Sequence, residues 1–165
     1  VPWTSPATRS SGYTVTASNW NELVNDLLFL KRLAYVEFTS DVSVTATTAA
    51  TANQVVSAGA VTYEAAPIEI EFWTARYTAP AQQTWLLLRD GTTILGTFGN
   101  VQASDAEPGM TLKRSITPTA ASHTYNVAAY LGGAGTGTFK AGTGGSAGDG
   151  TTYLPGYISV KYIPT

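Results

Sequence analysis

At 165 residues and 17.3 kDa the chain has room for one domain with a real hydrophobic core plus an appendage, and not for two ordinary domains. Only 12% of residues are charged and the net charge is −2, so the basic face with which nucleic-acid binders neutralise phosphates is missing. Apolar residues make up 44% of the chain but come in short runs split by Thr, Ser, Gly and Ala, far from the roughly 18 consecutive apolar positions of a membrane span.

There is no cysteine, which excludes disulfide staples and a thiolate metal site and leaves packing, within or between chains, to hold the fold. No charged start leading into an apolar run marks a secretory signal.

Residues 1–15 hold Pro2, Pro6 and Gly12 beside Trp3, Tyr13 and Val15, which predicts an extended arm. Trp3 and Tyr13 are more apolar than a solvated tail requires. They dock on a neighbouring protein or fold back over their own domain.

Residues 16–33 are predicted as the one helix. Trp20, Leu23, Leu27, Leu30 and Ala34 recur every three or four residues as a single apolar stripe. Thr16, Ser18 or Asn19 can cap its start, and Asn19 with Glu22 has capping-box spacing. Glu22 and Asp26 come early and Lys31 and Arg32 close the last turn, as the helix dipole favours. The stripe packs on the domain's own core, or between chains as a short coiled-coil seam that would serve attachment or oligomerisation.

From residue 34 to 165 the period changes to two. Residues 35–39, 42–45 and 53–57 are short predicted strands rich in β-branched and aromatic residues. Ile68, Ile70 and Phe72 alternate with Glu69 and Glu71, predicting one long half-buried strand that continues through Trp73 and Tyr77 to Pro80. Residues 84–89 and 92–98 flank Asp90-Gly91, a pair suited to the positive φ angles of a type I′ hairpin turn. Residues 110–116, 123–131, 137–140 and 157–163 complete about ten strands. Short strands at roughly 8–12-residue spacing with no later helix predict a mainly β, antiparallel two-sheet sandwich, with a jelly roll as the leading topology.

Residues 132–150 carry nine of the 16 glycines. They lack Gly-Lys-Ser/Thr and a strand-to-helix setting, which removes the phosphate-cradle reading and leaves a flexible loop or a close approach of chains.

Catalytic candidates are few. His123 is the only histidine, and Ser122 beside it would point to the other face of a strand. Glu69 and Glu71 share a face with Cβ atoms roughly 7 Å apart, a spacing glycosidases use and also that of an ordinary solvated strand. Arg76, Arg89, Lys113 and Arg114 are placed to neutralise them across strands. No catalytic, cofactor or metal residue is therefore assigned.

Trp3, the run from Gly12 to Asn21 (Gly-Tyr-Thr-Val-Thr-Ala-Ser-Asn-Trp-Asn) and Leu27-Leu-Phe-Leu-Lys31 resemble the N-terminal segment of small tailed-bacteriophage virion proteins. There a Trp, a Val-Thr-Ala turn and a short helix precede the body. The remainder is similar in outline to the jelly-roll heads of that family, which share the tumour-necrosis-factor and complement-head fold and usually form trimers. The resemblance implies a non-enzymatic virion protein, a tail-fibre or adhesion head or a capsid decoration, anchored by residues 1–33. Its partners would be other virion proteins, two further copies of itself and a host-surface glycan, with no nucleic acid, membrane or cofactor. Trp3, Tyr13, Trp20, Leu23, Leu27 and Leu30 would carry attachment or oligomerisation. The competing class is a carbohydrate-binding module, for which Trp73, Trp85, Tyr77 and Tyr130 are candidate platform residues, and a glycan-acting enzyme ranks third.

Overall fold

The computed structural model describes residues 32–103, 106–107, 109–146 and 152–163. The predicted arm and nearly all of the predicted helix, with Trp3, Tyr13, Trp20, Leu23, Leu27 and Leu30, lie outside the described residues.

Eight strands carry the architecture: β1 Arg32–Phe38, β2 Asn53–Ser57, β3 Ile68–Thr74, β4 Thr84–Asp90, β5 Thr93–Val101, β6 Met110–Ile116, β7 Tyr125–Leu131 and β8 Gly156–Tyr162. They form two four-stranded antiparallel sheets in the orders β1-β8-β3-β6 and β2-β7-β4-β5. Apart from the β4–β5 hairpin, each strand lies in the opposite sheet from the one before it. A third ribbon at one end joins Val42–Val44, Gly137–Lys140, Arg76–Thr78 and Ala106–Glu107 in that order.

Alternation along the strands builds the core. In β3, Ile68, Ile70, Phe72 and Thr74 are buried while Glu69, Glu71 and Trp73 face outward, and β8 repeats the pattern with Ile158 and Val160 inside. The facing sheet supplies Leu86, Leu88, Val127, Ala129 and Leu131. Phe72 sits at the centre, stacked 6.3 Å from Phe38 and edge-on to Phe139 at 5.9 Å.

Four expectations need correction. Arg32 and Leu33 begin a strand instead of ending a helix, because β1 pairs with β8 from Arg32 opposite Lys161. The long strand predicted from Ile68 to Pro80 breaks at Ala75, where the chain leaves the first sheet for the end ribbon and Thr74 Oγ1 donates to the Arg76 carbonyl.

The hairpin turn is Gly91-Thr92 and not Asp90-Gly91. Asp90 pairs with Thr93 as a strand residue, and its carboxylate accepts from Thr124 N on the neighbouring chain segment, while Gly91 takes the positive φ of 56°. The fourth is the glycine-rich stretch, much of which is strand packed closely on its own body. A Cβ at Gly142, where φ is +59°, would lie 1.8 Å from the Thr39 carbonyl oxygen.

Candidate functional site

The outer face of the first sheet brings together side chains from its four adjacent strands. Because β1, β8 and β3 run antiparallel, one row across the sheet is Glu37, Tyr157, Trp73 and Thr111, and the next is Tyr35, Ser159, Glu71 and Lys113. The rings lean on one another: Trp73 stacks on Tyr157 at 5.8 Å and Tyr35 meets Tyr157 at 5.2 Å. Tyr35 is 40% exposed, and the Arg32 guanidinium lies 4.3 Å over its ring.

Polar groups lock this aromatic row. Glu71 accepts from the Tyr157 hydroxyl at 2.5 Å and pairs with Lys113 at 2.6 Å, one partner on each oxygen. Lys161 pairs with Glu69 at 3.0 Å, and the Tyr35 hydroxyl donates to Glu37 at 2.7 Å.

The hydrogen bond from Lys113, followed by that from Tyr157, holds the Glu71 carboxyl below the usual glutamate range, and the same contact to Glu71, with burial, pushes the Tyr157 phenol up to about 12. A general acid needs a carboxyl shifted the other way. Chemically this face is a flat aromatic patch edged by ion pairs, suited to binding.

Of the four basic residues expected to neutralise these acids, only Lys113 does so. Arg76 donates to the Tyr153 hydroxyl at 2.8 Å, and Arg89 turns to the carbonyls of Ala49 and Ala52. That turn covers Leu87 and Ala128 on the outside of the second sheet, which alternation alone would leave exposed.

The four platform candidates are dispersed. Tyr77 is fully buried, its hydroxyl bonded to Thr84 at 2.7 Å, and is removed from that list. Trp85 and Tyr130 stack on each other at 5.1 Å on the second sheet, so each covers a face of the other. Trp73 alone belongs to the aromatic row, and sequence reasoning passed over its partners Tyr35 and Tyr157. The signal was available for Tyr157, which stands between buried Gly156 and Ile158, but not for Tyr35, whose neighbour Val36 is itself exposed.

His123 pairs with Asp90, Nδ1 to Oδ2 at 2.6 Å, and its Nε2 lies 3.1 Å from the Thr119 carbonyl. With both nitrogens directed at fixed acceptors and the ring stacked on Tyr125, this pair ties three segments together and leaves no nitrogen for a nucleophile. The Asp90 contact first, and the Thr119 carbonyl more weakly, raise the imidazole pKa above its ordinary value against the opposing effect of burial.

A raised folded-state pKa means stabilisation that is complete below about pH 6.5 and is lost as pH rises through the folded value. The melting-temperature gap between the native chain and His123→Gln should therefore be widest near pH 5.5 and narrow toward pH 8.5. A gap constant across that range would show that the imidazole does not titrate against Asp90.

Compared with known protein families and with curated proteins, the sequence matches none.

Proposed function

We propose that the chain is a non-enzymatic structural protein of a tailed-bacteriophage virion, a homotrimeric surface appendage. Residues 1–33 attach it to other virion proteins, and residues 34–165 form a jelly-roll head. The observation that carries the reading is strand order. The pairs β1–β8, β2–β7, β3–β6 and β4–β5 are each hydrogen-bonded neighbours, as when one long antiparallel double strand is folded over into two sheets. That order supports a jelly-roll path for the body that follows residues 12–31, the segment resembling virion proteins.

The aromatic row supports trimerisation. Tyr35, Tyr157 and Trp73 form a half-exposed apolar patch with charged edges, the composition of an interface with an apolar centre and polar rim. Light scattering should give three times the 17.3 kDa chain mass. A chain-mass monomer across a wide concentration range would overturn the trimer. Labelling intact particles then separates the two placements: many copies in a lattice mean capsid decoration, a few at one vertex mean tail.

The same row favours a second reading, a glycan-binding sandwich, since stacked aromatics edged by carboxylates also suit sugar rings. The readings compete for one surface. Quenching of tryptophan fluorescence by polysaccharide in a monomeric chain, lost on Trp73→Ala, would give the row to the glycan.

A further inference from the structure

The edge between β5 and β6 is sealed at one point and open beside it. Leu112 closes on Gly99, where an added Cβ would lie 3.0 Å from either Leu112 methyl carbon. Beside that contact β5 carries two bulges, between the partners of Leu86 and Leu87 and of Leu88 and Arg89. A cavity of about 370 Å³ opens there, lined by Leu88, Leu95, Phe98 and Ile116 with Lys113 and Arg114.

Arg114 is out of place by pattern. It stands opposite fully buried Ile70, on the same face of β6 as Leu112 and Ile116, where alternation calls for an apolar residue. Lys113 is committed to Glu71, but Arg114 makes no hydrogen bond or ion pair among the described residues. Arg114, exposed to solvent with five donors on its guanidinium, thus lines a hollow together with Leu88, Phe98 and Ile116.

We propose that this cavity binds a small amphipathic carboxylate, its acid group on the Arg114 guanidinium and its hydrocarbon body against Leu88, Phe98 and Ile116. The planar fork of arginine matches a carboxylate bidentately, and the hollow lies at the small end of the roughly 300–1,000 Å³ of ligand pockets. Charge and shape together select the ligand: a purely apolar molecule gains nothing from the guanidinium, and a free small anion gains nothing from Leu88, Phe98 and Ile116.

Titration of the full chain with octanoate, followed by methyl and aromatic NMR, tests this. Saturable shifts are expected at Leu88, Phe98 and Ile116, with 1-octanol binding at least about tenfold more weakly because the charge-assisted contact is missing. Arg114→Gln should weaken octanoate by a similar factor and leave octanol unchanged, while Arg114→Lys keeps most of the affinity. Equal binding of octanoate and octanol, an unaffected Arg114→Gln variant, shifts confined to another surface, or no saturation at millimolar octanoate would each overturn the site.

Discussion

Phe72→Ala is expected to destabilise the body by about 3–5 kcal/mol, the range for truncating a fully buried aromatic. Phe72 is 0% exposed and bridges the first sheet and the end ribbon, since it touches Phe38 of β1 on one side and Phe139 of residues 137–140 on the other. Strand pairing on both sides of β3 holds the backbone in place, so the space left cannot collapse. Thermal or urea unfolding measures the loss directly. A cost under about 1 kcal/mol would mean that the ribbon does not depend on the main core for its position.

Trp73→Ala, one residue further along, is expected to do the opposite. Its ring points outward onto Tyr157, so the unfolding free energy of the isolated body should fall only modestly, whereas association should fail. Central aromatic residues of interfaces cost about 2 kcal/mol or more on truncation, and a trimer would lose three of them together. With the proposed trimer, scattering mass should drop from three chain masses to that of the 17.3 kDa chain. If the variant keeps its mass and loses stability instead, the row serves the fold and not association.

That contrast between neighbours was readable without coordinates, because Ile68-Glu-Ile-Glu-Phe72 writes the period of two in plain residue types. The antiparallel, mainly β character followed from the same signal. Departures came where a tertiary contact outweighed local pattern. Asp90 belongs to a hairpin motif on paper, yet His123 and the Thr124 amide, more than thirty residues away, hold it in the strand.

Tyr77 looked like a platform ring. The break at Ala75 turned it into the core, where Thr84 satisfies its hydroxyl. Leu87 and Ala128 would face water if the second sheet were bare, and no periodicity announces that the turn at Ala49–Thr51 will be pinned over them by Arg89. The site was half legible: Trp73 was singled out, but a surface made of one residue from each of three strands is visible only once their register is known.

The place of β8 has a consequence for the order of events during synthesis. This strand lies between β1 and β3, so the earliest and latest described strands are neighbours, and Arg32 meets Lys161 only after all the residues between them have emerged. Until residues 156–162 arrive, β1 and β3 each present an unpaired edge, and the separation of the partners makes closure slow. The nascent chain is therefore exposed to adhesion by other strands until residues 156–162 emerge, and an intermediate lacking β8 would be a species that chaperones hold. Arrival of β8 also places Tyr157 between Tyr35 and Trp73, so the aromatic row comes into being in the same step that closes the sheet. A chain without β8 lacks Tyr157 and therefore lacks the ring that joins Tyr35 to Trp73.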